Sequence, residues 1–218
     1  RVLIERCYLD SVITLIDGTQ GKVQVRGHLE AMEQIAHADV GLITKGDLIN
    51  AKTISDLKTF VLSINPAMRI TAIENGEVSP ELLFGKNNID SISNISNELA
   101  RAHSHENQSR HRNGPENPHE DISTWSFVAE TPLNQARFYT WLKMLYSLHA
   151  SKILRLKGLV RLEGNGCPLL IQGVGPILNT PHFLSTWPEG VEKTRLVFIL
   201  RGISTQALEE SFMRHIMT

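Results

Sequence analysis

The sequence predicts an α/β unit with a parallel sheet, followed by a small α+β unit with an antiparallel sheet. Three observations predict this order. Strand and helix patterns alternate with short connections over residues 11–73, which is typical of parallel sheets with right-handed crossovers. A polar stretch poor in large apolar residues follows. Beyond it, successive strand patterns joined by a tight turn favour an antiparallel sheet with helices on one face.

Composition narrows the class of protein. The 218 residues are 41% hydrophobic and 21% charged, with a net charge of -1, which is ordinary for a globular protein. No excess of Lys and Arg suggests a nucleic-acid partner, and no apolar run is long enough to predict a membrane span. The two cysteines, Cys7 and Cys167, lie far apart. This favours a reducing, cytoplasmic setting over a disulfide framework.

The first unit contains three strand patterns, at 11–17, 39–45 and 68–73. The first two are apolar runs, which indicates strands buried on both faces. Between them, apolar residues recur at helical spacing over residues 25–38, predicting one amphipathic helix.

Helix signals complete the first unit. Thr53 precedes Asp56 by three residues, which resembles a capping box at the start of a second helix. The Asn65-Pro66 pair ends that helix, because proline disfavours the helical conformation in the residue before it. Ser79-Pro80 predicts a short further helix that ends near Gly85.

A linker separates the two units. Residues 86–122 are rich in Asn, Ser, His and Glu, and such a segment cannot bury enough apolar surface to offset the entropy of ordering. The predicted domains are therefore 1–85, the linker 86–122, and 123–218.

The second unit has the predicted order β-α-β-β-β-α. An aromatic and aliphatic stripe from Phe138 to Tyr146 predicts the first helix, and Ser204 is the expected N-cap of the last one. The glycines at 164 and 166 suit a hairpin turn. The strand patterns lie at 124–130, 153–164, 168–178 and 194–202.

A Thr-Lys-Gly-Asp motif follows the second predicted strand, at residues 44–47. Guanine presents two donors on one edge, and the Asp47 carboxylate offers two acceptors at a matching separation. Adenine lacks these donors, and a site built on buried hydrogen bonds rejects a base that leaves them unmade. Lys45 can lay its aliphatic stem along the base, and Thr44 can orient the loop. Ligands also bind at the carboxyl ends of parallel strands.

From the residues alone, the motif is either a guanine-reading loop or a polar turn after a strand. A guanine loop normally works beside a phosphate loop, G-x-x-x-x-G-K-[ST]. Neither Gly-Lys pair, at 21–22 or 85–86, lies in this pattern. We therefore expect the phosphate loop and the Mg²⁺ ligands upstream of Arg1, and we do not expect this chain alone to hydrolyse GTP.

Nearly the whole chain resembles the CobW family of metal-chaperone GTPases. The family pattern joins a Leu-Asp-x-Val strand, a Gln-Ile-x-x-Ala-Asp helix end and the guanine motif. The matching residues are Leu9, Asp10, Val12, Ile16, Asp17, Gln34, Ile35, Ala38, Asp39, Thr44, Lys45, Asp47 and Leu48. An Asn-Pro segment at 65–66 and an Arg-x-Lys-Gly strand at 155–158 also fit, as do Arg201 and Gly202.

The resemblance implies part of a P-loop-type GTPase domain followed by a CobW C-terminal domain. It implies an intact protein that binds GTP or GDP together with Mg²⁺, in which Thr44, Lys45 and Asp47 contact the guanine base. It also implies that this protein delivers zinc, cobalt or a similar metal to a metalloprotein client. A second copy of the chain is another expected partner. The family's Cys-x-Cys-Cys metal motif is absent from this sequence. The alternative is a non-enzymatic metal-binding or interaction module with a vestigial guanine loop.

Four histidines in the predicted linker are candidate metal ligands. Neutral imidazole suits borderline metals, and His-x-His spacing on a flexible chain can chelate weakly. The alternative is a solvated linker in which the histidines have no metal-binding role. The candidates are His103, His105, His111 and His119.

Overall fold

A computed structural model of the chain describes residues 10–84, 122–188 and 192–217. These residues form one three-stranded parallel sheet and one six-stranded antiparallel sheet. The predicted fold class, a parallel α/β unit followed by a small α+β unit, is therefore confirmed.

The first sheet has the order β1-β2-β3, with β2 in the centre. Both pairings are parallel, so the carboxyl ends of the strands meet at one edge, where α/β sheets bind ligands. The elements of this unit are β1 (Ile13–Asp17), α1 (Gly21–Gly27), α2 (Leu29–His37), β2 (Val40–Thr44), α3 (Ala51–Ile64), β3 (Arg69–Ala72) and α4 (Pro80–Leu83).

Burial differs between the two strands that were expected to be covered on both faces. β2 is buried on both faces: Ile43 packs against the helices, while Leu42 contacts Ile73 on the other side. In β1, Ile16 is buried but Leu15 is 66% exposed. The expectation for β1 is therefore wrong, because no described residue covers the face of β1 on which Leu15 lies.

The predicted helix over 25–38 is in fact two helices. His28 adopts an extended conformation between α1 and α2, and the preceding Gly27 is a poor helix former. Val25 from α1 and Met32 from α2 still pack into one apolar cluster. The apolar spacing therefore predicted the buried face correctly but not the break.

The start of α3 also differs from its prediction. The N-cap is Asn50, whose Oδ1 accepts hydrogen bonds from Thr53 N at 2.8 Å and Thr53 Oγ1 at 3.0 Å. Thr53 thus donates to the cap instead of serving as one. The predicted end at Asn65 is confirmed.

The second sheet has the order β4-β9-β5-β6-β7, and β8 pairs with β6. Ser204 caps the last helix as predicted, accepting a hydrogen bond from Ala207 N at 3.3 Å. The elements are β4 (Ile122–Ala129), α5 (Gln135–His149), β5 (Ile153–Val160), β6 (Leu169–Val174), β7 (Ile177–Leu178), β8 (His182–Phe183), β9 (Thr194–Arg201) and α6 (Thr205–Phe212), which continues as a π-turn over Met213–Met217.

Three features of the strands in this unit differ from the predictions. The strand expected over 168–178 is divided at Gly175, whose φ of 55° turns the chain between β6 and β7. The short strand β8 was not predicted. Ile122, placed in the linker from the sequence, begins β4; the rest of 86–122 lies outside the described residues, and the domain boundaries stay a prediction.

The second sheet is covered on both faces. On one face α5 and α6 form an aromatic core in which the Trp141 ring meets the rings of Phe198 and Phe212 edge-on. On the other face Leu154 and Ile199 pack against Ala36 of α2. The sheet therefore lies between its own helices and the first unit.

Candidate functional site

The Thr-Lys-Gly-Asp motif forms a tight loop at the carboxyl end of β2. Lys45 adopts the left-handed conformation, with φ 57° and ψ 33°, and a 3₁₀ turn over Gly46–Leu48 follows it. Left-handed backbone is uncommon for residues other than glycine. Lys45 therefore turns the chain sharply where a parallel sheet presents its ligand site.

Backbone bonds tie this loop to both neighbouring strands. Gly46 N donates to Ile73 O at 3.4 Å, just beyond β3, and Gly18 N, just beyond β1, donates to Thr44 O at 3.0 Å. A Cβ on Gly18 would lie only 2.7 Å from Thr44 O. Glycine at position 18 thus permits the close approach of the two loops.

Asp17, the last residue of β1, binds the motif lysine. Its Oδ2 accepts a hydrogen bond from Lys45 Nζ at 2.7 Å. Its Oδ1 accepts from Thr19 N at 2.8 Å, Thr19 Oγ1 at 2.7 Å and Gln20 N at 3.0 Å. Lys45, together with these other donors, holds the pKa of Asp17 well below its usual range.

The three predicted site residues lie within one turn, and each has a different environment. The Thr44 hydroxyl reaches Ile16 O on β1 at 3.4 Å, so its side-chain bond goes to the neighbouring strand. The Asp47 side chain is exposed, and within the described ranges its carboxylate makes no hydrogen bond or ion pair. Asp47 is therefore available to a ligand, whereas Lys45 is already held.

Sequence reasoning gave Asp17 no role in this site. The sequence showed only that Asp17 and Thr44 each lie near the end of a predicted strand; the structure shows that these strands are adjacent, parallel and in register. The four candidate histidines of the linker lie outside the described residues. In the part of the chain that the structure describes, no group of three or more His, Cys, Asp or Glu side chains is arranged to hold a metal ion.

The opposite end of β2 carries a buried ionic cluster that joins the two units. Asp39 immediately precedes β2, and its Oδ2 accepts a hydrogen bond from Val12 N at 3.0 Å. Its Oδ1 contacts the guanidinium of Arg155 and lies 2.6 Å from Lys157 Nζ. All three charged side chains are at most 5% exposed. The Arg-x-Lys part of the family-like motif on β5 therefore binds the first unit.

Burial sets the electrostatics of this cluster. It lowers the pKa of Lys157 to about 8, against the opposing effect of Asp39, and it lowers the pKa of Arg155 as well. Burial alone would raise the pKa of Asp39, but the two cations and the Val12 N–H outweigh it and lower the pKa. The carboxylate is thus held ionised between strands of two sheets.

Two family models match the chain in the order of its two sheets. The nucleotide-binding domain of CobW, HypB and UreG matches residues 1–72. The C-terminal domain of the cobalamin synthesis protein CobW matches residues 122–215. None of the helices in the described ranges is both long and apolar enough to cross a bilayer.

Individual relatives agree with these matches. The zinc chaperone YjiA of Escherichia coli strain K12 is 26% identical over 204 residues, which are 93% of this chain and 59% of YjiA. The chain therefore spans less than two thirds of that relative's length. The crystal structure of Zn(II)-bound YjiA GTPase superimposes with a TM-score of 0.73 at 22% identity, covering 99% of this chain and 64% of that one. The Zn(II)-bound structure of a YjiA triple mutant matches equally well.

The two matched domains, their order and the shared fold show the family. Both the Thr-Lys-Gly-Asp loop after β2 and the Arg-x-Lys-Gly strand of the second sheet fall inside the matched ranges. The chain belongs to the CobW family of proteins.

Proposed function

We propose that the chain supplies the guanine-reading part of a GTP-binding, GTP-hydrolysing metallochaperone. In this proposal Asp47 accepts hydrogen bonds from N1–H and the 2-amino group of guanine, while Lys45 lies along the face of the base. Hydrolysis and Mg²⁺ binding would need a phosphate loop, and this sequence does not contain one. The proposal for the intact protein therefore concerns a polypeptide longer than residues 1–218.

The state of the Asp47 carboxylate carries the proposal. The carboxylate lies at the carboxyl end of the central strand and is exposed. Within the described residues it makes no hydrogen bond or ion pair. A carboxylate in an ordinary polar turn tends to bond to nearby backbone, as Asp17 does. Asp47 instead leaves both oxygens free on a loop that backbone bonds to two strands hold in place.

The proposal of metal delivery is based on similarity to known proteins. YjiA is described as a zinc chaperone, and family membership extends the proposal to delivery of zinc, cobalt or a similar ion to a metalloprotein client in the cytoplasm. The residues proposed to bind the metal weakly are the linker histidines: His103, His105, His111 and His119. A second copy of the chain is the other proposed partner.

Base exchange tests the guanine assignment. In the full-length polypeptide containing this chain, Asp47→Asn is expected to weaken GDP binding by about tenfold to a hundredfold, the range for losing one bidentate base contact. XDP binding should strengthen, because an amide can donate to the 2-carbonyl of xanthine and still accept from N1–H. Fluorescence titration with N-methylanthraniloyl derivatives of both nucleotides measures the two affinities.

Asp56→Asn is the matched control, since Asp56 is also exposed and makes no hydrogen bond or ion pair in the described ranges. It should leave both affinities unchanged. An Asp47→Asn protein that keeps the wild-type preference for GDP over XDP would contradict the guanine assignment. A wild-type protein that binds neither nucleotide would favour the non-enzymatic module.

A further inference from the structure

The ion pair between Asp17 and Lys45 links the end of β1 to the guanine-type loop. The two residues lie on different strands, and their charged atoms are 2.7 Å apart. The Lys45 backbone is in the left-handed region, so its side chain leaves a sharply turned loop and reaches across to the neighbouring strand. Position and direction of the lysine are therefore both constrained.

Asp17 is an immobilised partner and not a free surface carboxylate. Three donors from Thr19 and Gln20 hold its Oδ1, and its side chain is only 20% exposed. Fixing Oδ1 leaves Oδ2 with a defined direction. The usual entropy cost of ordering an exposed ion pair is therefore reduced on the aspartate side.

We propose that Asp17 is a positioning residue for base recognition: it holds the Lys45 ammonium at the end of β1, so that the lysine stem lies across the face of the bound base. This inference rests on the proposed guanine-binding function and deepens it. Asp47 reads the edge of the base and decides which base is bound. Asp17, acting through Lys45, stabilises the contact between the lysine stem and the face of whichever base Asp47 accepts.

This division of roles makes a distinctive prediction about specificity. Loss of an edge contact changes the ratio of GDP to XDP affinity. At a pH below the pKa of the xanthine ring, where both bases are uncharged, loss of the Asp17 charge should weaken both nucleotides by the same factor, because the faces of the two neutral bases are alike. The Lys45 side chain is 52% exposed, so the expected factor is about twofold to fivefold, the upper range for exposed ion pairs.

A double-mutant cycle in the full-length polypeptide tests the role. Asp17→Asn keeps an oxygen for the Thr19 and Gln20 bonds but removes the charge facing Lys45. Lys45→Met keeps an unbranched stem but removes the ammonium. We expect Asp17→Asn to weaken the N-methylanthraniloyl derivatives of GDP and XDP equally in the wild-type background, and to have no further effect in the Lys45→Met background.

The Lys45→Met background distinguishes a positioning role of Asp17 from a purely structural one. If Asp17 only holds its own turn, Asp17→Asn lowers affinity by the same factor with or without the ammonium, and the inference is overturned. An unchanged affinity in the wild-type background overturns it as well. Asp56→Asn serves as the control for loss of a carboxylate charge.

The outcome also distinguishes this inference from the proposed function. If Asp47→Asn exchanges the base preference but the Asp17 effect is absent or independent of Lys45, guanine recognition stands and the positioning role fails. If Asp47→Asn leaves the preference unchanged, the guanine assignment fails, and the positioning role fails with it.

Discussion

Lys157 Nζ lies 2.6 Å from Asp39 Oδ1, although Lys157 belongs to the second sheet and Asp39 precedes the central strand of the first. Both side chains are almost fully buried. Ionised groups are costly to bury unless they are paired and hydrogen-bonded. This contact therefore makes the docking of the two units specific, because displacing one sheet would leave charges buried without their partners.

Removing the carboxylate should destabilise the protein strongly. Asp39→Asn leaves the cations of Arg155 and Lys157 buried without this counter-charge, and breaking a buried pair by removing one partner costs about 3–5 kcal/mol. Urea denaturation followed by tryptophan fluorescence measures the loss. The same change at exposed Asp56 should alter the free energy of unfolding by less than about 0.5 kcal/mol. Equal effects at the two positions would contradict the buried-cluster interpretation.

Lys157 should give the protein an alkaline pH dependence. Its pKa is about 8 in the folded protein against a reference of 10.5. Between these values the unfolded state binds more protons, so the free energy of unfolding rises with pH. The cost of burying the ammonium is fully present below pH 8 and is relieved between pH 8 and about 10.5.

The comparison with Lys157→Met isolates this effect, because methionine has similar length and no charge. Relative to that variant, the wild-type protein should gain stability between pH 7.5 and about pH 10, by on the order of 2–3 kcal/mol. Urea denaturation at a series of pH values measures the difference. Two stability curves that stay parallel across this range would show that Lys157 does not titrate in the folded state.

Asn65 should matter more than an ordinary helix cap. Its side-chain amide is buried and donates to Ile35 O and Ala38 O, each at 2.9 Å, at the end of α2. Asn65→Ala removes both bonds and takes the buried donor away from Ala38 O, although Ile35 O keeps its bond from Ala38 N at 3.2 Å; the change should cost about 2–3 kcal/mol. Asn50→Ala, at the exposed N-cap of α3, should cost only about 1 kcal/mol. Thermal denaturation that ranks the two variants in the reverse order would refute this account.

Gly158 is expected to tolerate no side chain. A Cβ there would lie 2.5 Å from Leu196 Cδ2 and 2.8 Å from Arg195 O, between β5 and β9 in the interior of the second sheet. Gly158→Ala should therefore destabilise the protein by about 1–3 kcal/mol through overpacking. Gly166→Ala is the matched control, because a Cβ at Gly166 meets nothing within 4 Å. Similar melting temperatures for the two variants would disprove the steric explanation.

Elements that depend on neighbouring residues were predictable from the sequence. The alternation of strands and helices, the end of α3 at Asn65 and the Ser204 cap all follow from local periodicity and backbone preference. The place of the Thr-Lys-Gly-Asp loop at the end of a central strand could be predicted for the same reason. The helix break at His28 and the cap at Asn50 could not be predicted, because competing local signals lay close together. Continuous apolar spacing concealed the break after Gly27, and Thr53 offered a second cap three residues beyond Asn50.

The sequence by itself determined the order of most strands and helices, where the Thr-Lys-Gly-Asp loop lies and which family the chain resembles. Only the tertiary structure decided that Asp17 binds Lys45 and that Asp39 binds Arg155 and Lys157. The physical reason is that hydrophobic period and turn chemistry act over a few residues. An ion pair between strands instead depends on how the sheets are ordered and docked, which no local pattern encodes.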